Sequence, residues 1–134
     1  MDSNVLISLI QDEFGKGKEF MSYRVRQFLD KALSCVYNIV ISNWVIDEVR
    51  RVSKISTESL QIWIDSLDEK IEVVICTQDD IECAKRMLDK KGPLHFSDAV
   101  HAVIYTRCKC ETLVTWNLKD FENSGVNAKD PREL

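Results

Sequence analysis

Three short β-branched runs, at residues 36–41, 71–76 and 112–116, are held apart by longer stretches with helical apolar spacing. The first run is short, with little amphipathic character, and reads as a buried strand, and the other two read as a second and a third strand. The intervening stretches behave differently. Phe20, Val25, Phe28, Leu29 and Leu33 form a helical stripe over 19–33, and Leu60, Ile64 and Leu67 form another in a helix opening at Thr57. A first helix is expected from Val5 to about Phe14, with a turn at 15–18 after it. Ser42 or Asn43 caps a helix that begins over 45–52, and Thr77 caps one over about 79–90 that Gly92 and Pro93 end. Ser97 caps a last helix whose inner face carries Ala99, Ala102, Val103 and Thr106. Strands alternating with helices predict an α/β protein, with a mostly parallel central sheet flanked by helices. In such sheets ligands bind beyond the carboxyl ends of the strands, where Ser42, Thr115 and Asn117 fall.

The 134 residues are expected to form a single domain, 1–134, large enough to bury a core without disulfides. With 22 acidic and 18 basic residues the net charge is −4, which offers no broad attraction to a polyanion. A nucleic-acid ligand then needs a metal or local basic groups, with Lys16, Lys18, Arg24, Arg26, Arg50, Arg51 and Lys119 as candidates. The five cysteines, odd in number and in apolar settings, are expected to be reduced core thiols of a cytoplasmic protein. Cys108-Lys109-Cys110 lacks the second pair or histidine cluster of a zinc site and is expected to pack at a helix end. No basic region precedes the first apolar run, so no signal peptide is expected, and no apolar stretch is long enough to span a bilayer.

Four stretches set an acidic or amide side chain at the edge of an apolar run: 1–7, 45–49, 96–100 and 113–121. A carboxylate against buried hydrocarbon is costly to keep ionised unless something positive compensates it. Mg²⁺ and Mn²⁺ take oxygen ligands in near-octahedral geometry, and Asp2, Asp98 and Asp120 are the expected donors. Glu48 shares the metal, occupies a second metal position or orients an attacking water. The amide of Asn117 is suited to ordering a water or an aspartate, and the choice between Asn117 and Asp120 as fourth ligand stays open. Ser3, Asn4, Ser42 and Thr115 are expected to fix the carboxylates by hydrogen bonds. Crowded carboxylates repel, so at least one is expected to have a raised pKa without metal.

Plainer roles exist for each. Asp47 can pair with Arg50 on a solvated helix face that also carries Glu48, and Asp98 can be a first-turn acid favoured by the helix dipole. Asp120 can be a turn residue before Phe121. His95 and His101 are expected to be structural or surface residues, because a hard-metal site of carboxylates needs neither. Trp44, Trp63 and Trp116 are expected to pack rather than to stack on bases.

Taken in order, these pieces resemble PIN-domain nucleases, and within them the branch of VapC-like toxin ribonucleases. Asp2-Ser3-Asn4-Val5-Leu6 is similar to the family's Asp-Thr-Asn-Val-Leu opening, and the segment from Ser42 to Glu48-Val49 to its glutamate-bearing helix. Ser97-Asp98-Ala99-Val100-His101-Ala102 resembles its Asp-Ala-hydrophobic helix start. Thr115-Trp116-Asn117-Leu118-Lys119-Asp120-Phe121 is similar to Thr-x-Asn/Asp-x-x-Asp-Phe, and Pro131-Arg132-Glu133-Leu134 to the family's closing residues. The resemblance implies a three-layer α/β/α fold and a Mg²⁺- or Mn²⁺-dependent endoribonuclease using Asp2, Glu48, Asp98 and Asp120. It also implies an RNA substrate, a homodimer and an inhibitory protein antitoxin. Two departures accompany it. Only Met1 precedes Asp2, where the family has a full hydrophobic strand: either the first strand is nearly absent or the natural start lies upstream, and a missing strand would leave neighbouring edges exposed and Asp2 on a mobile terminus. Asn117 stands where many relatives carry an acid. These departures favour one alternative, a PIN-like binding or scaffold module that no longer cleaves; an RNA-processing nuclease outside a toxin–antitoxin pair and a DNA-directed nuclease on the same fold are further alternatives.

Overall fold

The computed structural model describes residues 1–13, 19–34, 36–67, 70–88 and 95–134. The turn expected at 15–18, Cys35, and the helix end at Lys90 with its Gly92-Pro93 stop lie outside the described residues. Six helices and four short strands make up a mixed α/β chain among the described residues. They run α1 (Ser3–Glu13), α2 (Glu19–Leu33), β1 (Ile39–Ser42), α3 (Asn43–Ser53), α4 (Thr57–Ser66), β2 (Ile71–Val74), α5 (Gln78–Leu88), α6 (Phe96–Arg107), β3 (Leu113–Val114) and β4 (Ala128–Lys129). Two 3₁₀ turns, Leu118–Phe121 and Pro131–Glu133, complete the order.

The helix ends follow local chemistry. The Ser42 hydroxyl accepts the Val45 N–H at 3.3 Å and caps α3, and Ser56 caps α4 in the same way at 3.1 Å. α3 ends where Lys54 turns into the left-handed region and its N–H reaches the Arg50 carbonyl at 2.9 Å. At the start of α5 the exchange is reciprocal: Thr77 N–H donates to Asp80 Oδ2 at 2.8 Å, and Asp80 N–H to Thr77 Oγ1 at 3.2 Å. Ser97 does not cap α6 as expected. The helix starts at Phe96, with His95 at the cap position and no side-chain bond there, which leaves the Ser97 hydroxyl free for other partners.

β1 and β2 pair in parallel with Ile39 opposite Ile71 and Ser42 opposite Val74, and β3 and β4 pair in parallel with Leu113 opposite Ala128. The strands are shorter than the apolar runs, and β4 has no counterpart among the sequence expectations. At two residues a strand shows no alternation to read. The first two residues bridge the ribbons. The Met1 amino group donates to the Val40 carbonyl at 2.8 Å, and Asp2 N–H donates to the Val114 carbonyl at 2.9 Å. A cavity of about 460 Å³ continues beside Met1 between Ile39 and Val40 on one side and Thr112 and Val114 on the other. Asp2, expected on a loose terminus, is instead only 4% exposed.

The largest apolar cluster joins Val5, Leu6, Leu9, Val25, Phe28, Ile41, Val45, Val49, Leu60 and Ile64 to Val114. α1 packs on α2 and α3 here, while α5 packs on α6 around Ala84, Ala99, Val100 and Ile104. α6 is buried on more sides than its expected inner face: Val100, His101 and Ile104 are buried, whereas Thr106 is exposed. The cysteines depart from the expected core setting. Cys83 is exposed and Cys76, Cys108 and Cys110 are half-buried, all as free thiols. Among the described residues no helix is long and apolar enough to cross a membrane.

Candidate metal centre

Asp2 sits where the chain leaves the sheet and enters α1, and its carboxylate is held from several directions. Thr115 Oγ1 donates to Asp2 Oδ2 at 2.7 Å, and Asn4 Nδ2 donates to the same oxygen at 2.8 Å. Ser3 Oγ donates to Oδ1 at 3.3 Å. Thr115, fully buried just past β3, also accepts from Asn4 Nδ2 at 3.0 Å and from the Asn117 N–H at 3.0 Å. Asn4 closes the circuit by accepting the Trp116 N–H at 3.1 Å. Residues more than a hundred positions apart thereby fix one carboxylate, as outer hydrogen bonds do for a metal ligand.

Glu48 approaches from α3. The Ser97 hydroxyl donates to Glu48 Oε1, and His101 Nε2 lies 3.1 Å from Oε2. Ser97 in turn accepts the Trp44 indole N–H at 3.0 Å, while the Trp44 ring packs edge-on against Phe96. Burial opposes ionisation of Glu48, but hydrogen bonds from His101 and Ser97, with the His101 charge, outweigh it and lower the carboxyl to about 2. The solvated pair expected beside it also exists: Arg50 lies 3.5 Å from Asp47, with Arg51 4.0 Å from Glu48 itself. Glu48 is nevertheless turned inward, its side chain 13% exposed against 69% for Asp47.

Asp98 lies in the first turn of α6. Its Oδ2 is buried with no hydrogen-bond partner. Burial first, and then the charges of Asp2 and Asp120, raise its carboxyl to about 6. The expected raised pKa thus falls on Asp98, which is partly buried beside the charges of Asp2 and Asp120. Asp120 lies on the 3₁₀ turn after Asn117, half-buried and close enough for its charge to act on Asp98.

Two expected participants stand apart. Ser42 is committed to capping α3 and makes no hydrogen bond to the carboxylates; its hydroxyl is taken by a backbone donor its position supplies. The Asn117 side chain is exposed and forms no cap, so only its backbone touches the site, through Thr115. Asp120 rather than Asn117 is the fourth acidic neighbour. Of the tryptophans, Trp44 and Trp116 pack and donate indole N–H bonds, Trp116 to Ser8 Oγ at 2.9 Å, and Trp63 packs against the core.

Sequence reasoning missed His101. It is 4% exposed, with Nε2 3.3 Å from Asp2 Oδ1 and 3.1 Å from Glu48 Oε2. Asp2, Glu48 and His101 each offer an atom within 4.8 Å of the other two, a spacing that could hold a cation. The available signal was its position three residues after Asp98, which puts both on one face of α6.

No protein-family model matches the chain, and neither curated proteins nor solved structures show significant similarity to it.

Proposed function

We propose that the chain is a PIN-type endoribonuclease that hydrolyses RNA phosphodiesters with Mg²⁺ or Mn²⁺ held by Asp2, Glu48 and Asp98, with Asp120 beside them. The observation that carries this reading is the convergence of Asp2 and Glu48 on His101, with Asp98 next to Asp2 carrying a buried, unpartnered oxygen. An orphaned carboxylate oxygen beside other acids is costly unless a cation completes it. A bound divalent ion would supply Lewis-acid stabilisation of phosphoryl oxygens and a readily deprotonated water.

The chain's own groups have distinct parts. Thr115, Asn4 and Ser3 aim Asp2, and Ser97 aims Glu48. Asp98, whose carboxyl is raised to about 6 without metal, would be held ionised by a bound cation. The parallel pairings β1–β2 and β3–β4 are compatible with the three-layer PIN arrangement. The resemblance to VapC-like toxins extends the proposal to a cytoplasmic homodimer restrained by an antitoxin.

The test is cleavage of single-stranded and structured RNA with Mn²⁺ or Mg²⁺. Cleavage should stop with EDTA and in Asp98→Asn, while circular dichroism shows the variant folded. Cleavage indifferent to both would overturn the reading, and cutting of a matched DNA oligonucleotide instead of RNA would redirect it to a DNA nuclease. The exposed Asn117, whose side chain forms no cap, favours a second reading, a PIN-like binding module without hydrolysis. Calorimetry separates the two, since no binding at millimolar Mn²⁺ supports the module.

A further inference from the structure

We infer that His101 is itself a metal ligand, so that the centre is a mixed nitrogen–oxygen site preferring Mn²⁺ and later first-row ions to Mg²⁺. The inference rests on the metal centre proposed above and adds to it the ligand that sets metal choice.

Geometry carries the argument. In an octahedral site with bonds of about 2.1 Å, neighbouring donor atoms lie roughly 3.0 Å apart and opposite ones about 4.2 Å apart. His101 Nε2 stands 3.3 Å from Asp2 Oδ1 and 3.1 Å from Glu48 Oε2, and all three donors fall within 4.8 Å of one another. The two separations from His101 Nε2 are close to those of adjacent corners around one ion. A hydrogen bond alone explains them less well. A ring N–H carries one proton, so it serves one of the two oxygens fully and leaves the other to a weaker donor. The other donor to Asp2 Oδ1 is the Ser3 hydroxyl, at a long 3.3 Å. One cation between the three atoms satisfies all of them.

The supporting structure fits a ligand. His101 is 4% exposed on α6, held between Asp2 from the chain start and Glu48 from α3. Its placement one turn beyond Asp98 lets a single helix contribute a nitrogen and an oxygen to the same side. The chemistry then decides the metal. Mg²⁺ demands hard oxygen donors, whereas imidazole suits borderline transition ions, whose affinity rises from Mn²⁺ through Fe²⁺ to Co²⁺.

The test uses the full chain. Calorimetry should show Mn²⁺ binding about tenfold or more tighter than Mg²⁺, and Co²⁺ tighter still. His101→Asn should cost Mn²⁺ about tenfold or more and Mg²⁺ much less, removing the preference. Pulsed electron paramagnetic resonance of the Mn²⁺-loaded wild-type protein needs no variant, and should show coupling to an imidazole nitrogen. Mn²⁺ bound without nitrogen coupling, or with equal losses for both metals in His101→Asn, would overturn the inference while leaving the carboxylate centre standing. Failure of either metal to bind the wild type would overturn both.

Discussion

Asp98→Asn is expected to make the metal-free protein more stable while abolishing its response to metal. Burial, followed by the charges of Asp2 and Asp120, raises the Asp98 carboxyl from 3.8 to about 6. An acid with a higher pKa folded than unfolded binds extra proton on folding between those values. Its contribution is therefore present below pH 3.8, is lost as pH rises through about 6, and leaves the folded state disfavoured above that. A shift of about two units is ~3 kcal/mol for a fully shielded group. Asp98 is only partly buried, so solvent screening reduces this to ~1–2 kcal/mol. Asparagine keeps the shape and removes the charge. Urea unfolding at pH 8 without metal should place the variant about 1–2 kcal/mol above wild type, with the difference closing towards pH 4. Saturating Mn²⁺ should reverse the order, since a ligand at a hundred times its Kd adds ~2.7 kcal/mol to a protein that binds it. An Asp98→Asn protein no more stable than wild type at pH 8, or one stabilised equally by Mn²⁺, would refute the reasoning.

Glu48→Gln should act in the opposite sense. Its carboxyl is held at about 2, so ionised Glu48 stabilises the fold above 4.5 and that support is lost as pH falls towards 2. Allowing for screening, the variant should lose ~1–2 kcal/mol at neutral pH, a deficit that shrinks in urea titrations below pH 4.5. Asp80→Ala tests a purely structural acid: Arg107 Nε donates to it at 2.9 Å and it caps α5 through Thr77. The loss should be ~2–3 kcal/mol in unfolding experiments with metal affinity unchanged. Leu6→Ala, at a side chain 1% exposed, should cost ~3 kcal/mol, seen as a lower thermal midpoint.

Much of the element order was legible because its signals are local. The stripe of Phe28 and Leu29 and their neighbours marked α2 with its observed bounds, and Thr77 and Thr57 marked the starts of α5 and α4 to within a residue. Strand lengths were less legible, since pairing decides where a strand stops. The apolar run 71–76 pairs only as Ile71–Val74, after which the Cys76 N–H turns to the Asn43 side chain at 2.7 Å. β4 was invisible for the same reason.

The sequence by itself determined which acids stand at the edges of apolar runs, and it ordered Asp2, Glu48, Asp98 and Asp120 along the chain. Tertiary structure alone decided which share a site and which further residue joins them. Asp2 gained a fixed place because Val40 and Val114 accept the first two backbone nitrogens. Asn117 stayed outside because the 3₁₀ turn carries Asp120 inward instead. His101 entered because α6 is buried on most sides, so helical periodicity could not distinguish a histidine facing the core from one facing two carboxylates. Burial pattern reports how much water a residue loses; only long-range packing reports what replaces it.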